Sequence, residues 1–238
     1  MPRKLRLEDR LGLEDLSTST LDRSPSPVKS SLGDDFPGED FKAEEIETLY
    51  EDLLGRSDWK TQASSGTCEV KSVLPENNVI PVMLLTLDFG TEVELSKVYK
   101  ALYEQESRVG WDAGVSALEI EAITTNIWAV HSITKMPFPF SNRDFTERRV
   151  LKPCPDGLQV IHYSISESEG GRPAIEKCER ALEVFSLARL VVAEGSTRLV
   201  LMNQCDLKLP VPQEQITACA ARQIMTWAER LRRHVIDS

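Results

Sequence analysis

The sequence predicts an α+β fold in which one long, strongly curved antiparallel sheet wraps around a final helix. Three observations predict it: an amphipathic segment at either end of the foldable region, a succession of strand-like segments in the second half, and connections between them that are short and rich in Asp, Gly and Pro. Short connections of this kind join neighbours that pair antiparallel, and a sheet of many strands must curl.

From Ala43, the residues Ile46, Leu49, Tyr50, Leu53 and Leu54 recur at helical spacing, and Gly55 is placed to stop the helix. Residues 59–74 hold alternating and β-branched residues (TCEVKSVL), and 79–87 form a second strand candidate across a Pro75-Glu76-Asn77-Asn78 turn. Leu95, Val98, Leu102 and Tyr103 mark a short amphipathic helix that is expected to end before Gly110-Trp111-Asp112. Strands are then expected at 117–123, 127–134, 144–151, 158–165, 182–193 and 197–206. The last segment, 213–235, carries Ile216, Ala220, Ile224, Trp227, Leu231 and Val235 on one stripe, an amphipathic helix of about six turns.

With 238 residues, 41% of them hydrophobic, the chain has enough apolar side chains for a proper core. Its 28 Lys+Arg against 38 Asp+Glu give a formal charge of -10, the wrong field for nucleic-acid phosphates. The longest apolar run, VIPVMLLTL at 79–87, is broken by Pro81 and ended by Asp88, too short to cross a bilayer. The N-terminal MPRKLRLEDRLGLEDL has acids where a signal peptide needs an apolar centre. The chain is therefore expected to be a soluble cytoplasmic monomer with, at most, transient contact with membranes. Cys68, Cys154, Cys178, Cys205 and Cys219 are odd in number and form no CxxC, so they read as reduced packing thiols.

Residues 1–42 are polar, acidic and turn-rich, with too few large apolar side chains to offset the entropy of ordering them. They are expected to be a disordered tail ahead of a folded domain at 43–238. Ser24-Pro25 and Ser26-Pro27-Val28-Lys29 have the pattern of proline-directed kinase sites, and modification would add roughly two negative charges per serine.

The segment MPFPFSNRDFTERRV, residues 136–150, places arginine and aspartate beside a proline-rich turn at the start of a strand. With Trp128 in the strand before it and LQVIHYSIS after it, this block resembles the START family, the lipid-transfer domains related to the steroidogenic acute regulatory protein. Trp111-Asp112 ahead of SALEIEAI, Ser164, and Glu179-Arg180-Ala181 fall in the family's order, so the resemblance covers 43–238. It implies a helix-grip fold whose sheet and C-terminal helix enclose a tunnel for one lipid, a phospholipid, sterol or sphingolipid, with no catalysis and no cofactor. DLKLPVPQEQ resembles a shortened loop leading into the lid helix, with Asp206 and Pro210 kept and the usual glycines missing.

A carrier's walls must be as apolar as the bilayer the lipid leaves, at roughly 0.8 kcal/mol per CH₂, with few polar groups for the head. Alternation divides 127–133 into Ile127, Ala129, His131 and Ile133 on one face and Trp128, Val130 and Ser132 on the other, and leaves open which points inward. The same choice stands between Val184, Ser186, Ala188 and Leu190 and their neighbours Phe185, Leu187, Arg189 and Val191. Arg149 shares a face with Phe145, Glu147 and Leu151 and matches the position where the family often directs an arginine into the cavity. The expected lipid-binding set is Arg149, His131, Trp128, Phe145, His162, Ile224 and Trp227. Some family members, sterol carriers among them, supply an acid for this arginine from the preceding strand, and IWAVHS at 127–132 contains none.

Arg143 and Asp144 point to opposite faces and are expected to fix the start of the strand through other groups. Arg230, Arg232, Arg233 and His234 complement the dipole at the end of the last helix, and also suit anionic lipid headgroups. A regulatory or interaction domain with a small or filled cavity is the competing expectation. An enzyme on the same scaffold would need converging catalytic groups, and the chain has no GxSxG, HExxH or phosphate-cradling glycine loop.

Overall fold

The computed structural model describes residues 37–76 and 78–238. Residues 1–36 of the expected tail, with Ser24 and Ser26, lie outside the described residues. The fold is that of the unit Phe41–Ser238.

Helix α1, Pro37–Leu54, begins ahead of Ala43, since proline is readily accommodated in a first helical turn. Where the sequence suggested one strand segment, the chain makes a hairpin of β1 (Lys60–Ser64) and β2 (Cys68–Val73), closed by the Ser65 N–H on the Cys68 carbonyl at 2.7 Å. Strand β3 is Val82–Gly90. The single helix expected next is two: α2 (Leu95–Tyr103) and α3 (Gln105–Trp111), separated at Glu104, whose backbone is extended at φ −85, ψ 130. Then come β4 (Val115–Ala122), β5 (Ile127–Thr134), β6 (Asn142–Cys154), β7 (Gly157–Ser164), the short β8 (Cys178–Arg180), β9 (Leu182–Ala193), β10 (Ser196–Asp206) and α4 (Gln213–Asp237).

The strands form one sheet in the order β1-β2-β3-β10-β9-β7-β6-β5-β4, antiparallel throughout, with β8 added alongside the start of β6 as a parallel exception. At Gly157 a Cβ would sit 2.0 Å from the Leu190 carbonyl oxygen, so β7 can reach β9 there only with glycine. One face of the sheet is covered by α1, whose Ala43, Ile46, Tyr50 and Leu53 pack with Ile161, Tyr163, Phe185, Leu187 and Met202. Each fully buried side chain of this size contributes about 1.5–3 kcal/mol. On the other side α4 packs against β1, β2, β3, α2 and α3.

The charges at the start of β6 pin loops to the sheet. Arg143, 1% exposed, donates to the Leu207 carbonyl at 2.5 Å and the Ser141 carbonyl at 2.6 Å, and pairs with Glu179 at 3.1 Å. It thereby ties the proline-rich turn to the segment that enters α4. Asp144, fully buried, accepts from Arg180 Nε and Nη2 at 3.0 and 2.8 Å. Lys208, in that segment, holds φ 53, a left-handed conformation that glycine takes freely, and its N–H bonds Asp206 Oδ1 at 2.8 Å. This loop contains no glycine, and an Asx-type turn holds the bend instead.

Candidate functional site

Between the sheet and helices α2, α3 and α4 lies a cavity of about 240 Å³. Alternation along β5 turns Val130, Ser132 and Thr134 toward it, and along β6 it turns Phe145, Glu147 and Arg149 the same way. Leu118 of β4, Leu199 and Leu201 of β10 and Leu102 of α2 complete an apolar wall. Four ionisable groups, Arg149, Glu147, His162 and Glu183, stand where β6, β7 and β9 adjoin, and Arg108, Ser132, Thr134 and Ser186 also line the space.

Arg149 is 4% exposed, and burying a guanidinium is costly unless it is partnered. Its Nη1 donates to the Tyr103 carbonyl at 2.9 Å, its plane lies over the Tyr103 ring at 5.1 Å, and its Nε donates to His162 Nε2 at 3.2 Å. A guanidinium has only hydrogens to give, so Nε2 must accept, which leaves the proton of a neutral imidazole on Nδ1. That Nδ1 is 3.1 Å from Glu147 Oε2, and the carboxylate accepts from it. Arg149, His162 and Glu147 are thus one relay, with Tyr103 stacked on the His162 ring at 5.8 Å. Burial pushes the His162 pKa down, against the upward pull of Glu147. Burial likewise lowers Arg149, and Tyr99, Tyr103 and Glu147 oppose it.

Glu183 lies across the cavity on β9. Burial, and then the charge of Glu147, hold its carboxyl well above the usual carboxylate range; hydrogen bonds to Cys205 and Asn203 offset this in part. Its Oε1 is buried without a hydrogen-bond partner. Cys205 lines a second cavity of about 200 Å³, bounded by Val79, Ile80, Leu207, Leu209 and Ile216, so the Glu183–Cys205 contact stands between the two spaces.

At the roof, Arg108 of α3 pairs with Asp112 at 2.7 Å and stacks over Trp111 and Trp227 at 5.1 and 5.3 Å. Trp227 Nε1 donates to Asp112 Oδ2 at 3.0 Å, fastening α4 to the end of α3.

Of the seven residues expected to bind lipid, Arg149, Phe145, His162 and Trp227 line the cavity. Trp128 is buried on the β5 face of Val130 and, like the half-buried Ile224 of α4, lies outside the lining. His131 is on the opposite face of β5, across from Thr146, with Nε2 4.0 Å from Asp144 Oδ2. There burial, and then Arg172, lower its pKa. Sequence reasoning missed Glu147, Glu183, Tyr103 and Arg108. Glu147 was legible as the acid on Arg149's own face, two residues back, rather than on the preceding strand.

Comparison of the sequence with protein-family models and with curated proteins finds no match. Among solved structures, human StAR-related lipid transfer protein 5 aligns over 83% of this chain and 98% of its own at TM-score 0.71 and 19% identity. Human STARD10 aligns over 81% and 79% at TM-score 0.70 and 17% identity. The human StarD13 (DLC2) lipid transfer and protein localization domain aligns over 80% and 95% at TM-score 0.65 and 18% identity. At these identities the likeness is one of fold: the chain has the START helix-grip architecture, a curved antiparallel sheet around a C-terminal helix.

Proposed function

We propose that this domain is a non-catalytic carrier that takes a single lipid into the cavity beneath α4 and moves it between membranes. The observation that carries the reading is the cavity itself, which combines an apolar wall of Leu, Val and Phe side chains with the linked polar groups Arg149, His162 and Glu147. A lipid entering such a space keeps an apolar surround for its chain and finds hydrogen bonds for its head. The lipid-transfer proteins that share the fold support it.

The membrane-facing element in this reading is the proline-rich turn before β6. Phe138 there is 97% exposed, and Arg143 holds the turn beside the Leu207 segment that leads into α4. No helix among the described residues is long and apolar enough to cross a membrane. Native mass spectrometry of gently purified full-length protein tests the reading. A co-purifying lipid is expected; an empty protein that also extracts nothing from vesicles would end the carrier reading.

One observation favours a second reading, a regulatory or interaction domain. The cavity's 240 Å³ falls below the roughly 300–1,000 Å³ usual for small-molecule sites. Removing residues 1–36, with Ser24 and Ser26 as candidate kinase sites, separates the two. Transfer in vitro survives that deletion, whereas recruitment through the tail does not.

A further inference from the structure

We propose that Glu183 selects the class of ligand: an amphiphile whose buried head is an uncharged hydroxyl or amide, with phosphate and carboxylate heads excluded. The inference rests on the carrier reading and specifies what the carrier takes.

A backbone irregularity first puts the residue in place. Simple alternation along β9 would set Glu183 on the face of Phe185 and Leu187, which packs under α1. The register against β10 runs from Gln204↔Phe185 to Cys205↔Glu183, so Val184 is an extra residue. This bulge re-aims Glu183 into the cavity, as bulges beside functional sites do. Its Oε1 is left buried and without a partner, an arrangement that costs free energy until something binds it.

Charge balance then decides what that something is. The cavity is lined by two cations, and the charge of each is already balanced by a carboxylate, although Arg108 Nε itself is buried without a hydrogen-bond partner. Arg108 pairs with Asp112, and Arg149 gives Nε to His162, which relays to Glu147, and Nη1 to the Tyr103 carbonyl. With Nε spent, Arg149 cannot offer the complete side-on fork that grips a phosphate or carboxylate. The Glu147 carboxylate would face an incoming anion. Burial, and then Glu147, favour the neutral form of Glu183, in which its carboxyl both donates and accepts. A hydroxyl or amide is the complement of such a group. Ser132 and Ser186, also in the wall, add neutral hydroxyls and no charge.

The test uses three ligands with one chain and different heads, decan-1-ol, decanamide and decanoate, titrated into the full-length protein at pH 7.5. Decanol and decanamide are expected to bind about tenfold or more tightly than decanoate. Glu183→Gln keeps that order, because an amide remains a neutral donor and acceptor. Glu183→Leu weakens decanol by about tenfold, the scale of one lost hydrogen bond to a buried polar group. Decanoate binding as well as decanol overturns the proposal and leaves the carrier reading intact; binding of none of the three overturns both. Should Glu183→Leu fail to fold, wild type and Glu183→Gln are compared between pH 6 and 9. Glu147, His162, Arg149, Arg108 and Tyr103 line the same space, and Cys205 touches Glu183 from the second cavity, in both proteins, so the difference reports Glu183. Wild type is expected to lose decanol affinity as pH rises while Glu183→Gln does not, and equal profiles overturn the proposal.

Discussion

Arg149 gives its Nε hydrogen to Nε2 of His162 across 3.2 Å, and that single contact dictates which nitrogen of the ring keeps a proton. An imidazolium would turn a second N–H toward the guanidinium. The folded state therefore favours neutral His162, and its pKa lies below the ordinary value. His131, buried near Arg172, is lowered too.

A lowered histidine pKa means stability that is fully present above the unfolded value of about 6.5 and lost as pH falls through the folded one. Unfolding free energy is expected to decline on acidification from pH 6.5 toward 5. His162→Gln should flatten that decline, measured by urea denaturation at a series of pH values. An unchanged slope would show that the ring is not held neutral. Glu183 acts in the opposite sense: its raised pKa withdraws stability as pH rises through it, so Glu183→Gln should gain stability relative to wild type at alkaline pH.

Arg149→Leu removes the guanidinium from the relay and leaves Glu147 buried behind a histidine with no cation. Breaking one side of a buried charge pair costs about 3–5 kcal/mol, so this substitution should lower stability as well as headgroup selectivity. Adding Glu147→Gln should recover most of the loss. Independent, additive effects in a double-mutant cycle would deny the coupling.

Trp227→Ala cuts the bond to Asp112 and the stack over Arg108 that fasten α4 to the end of α3. A cost of about 2–3 kcal/mol is expected for the half-buried ring, together with faster exchange of a fluorescent lipid between vesicles. Slower or unchanged exchange in a folded variant would place the moving part elsewhere.

Phe138→Ser alters a side chain that is 97% exposed, so the thermal midpoint should stay within about 1 °C. Vesicle co-sedimentation should fall by about tenfold if that ring enters the bilayer surface, since a buried Phe contributes about 1.5–3 kcal/mol. Full co-sedimentation would remove the turn from the membrane-contact surface.

Much of the fold was legible because its signals are local. The bounds of β5 and β9 follow from turn residues on either side of β-branched runs, and the stripe of α4 runs unbroken to Val235. Helix α3 was missed because QESRVGW buries no residue and so carries no stripe. Strand β8, three residues long, is too short for a period. In the site, Arg149 was legible from the shared face of β6. Glu183 was not, because the bulge at Val184 breaks the alternation on which face assignment depends.

The Arg143 guanidinium has a mechanical consequence. It grips Ser141 at the end of the proline-rich turn and Leu207 at the start of the segment that enters α4, from a side chain with almost no exposure to water. Neither segment can swing away without tearing a buried cation from its oxygens. The two loops are therefore riveted into a single leaf, and severing that rivet would leave two panels that flap independently.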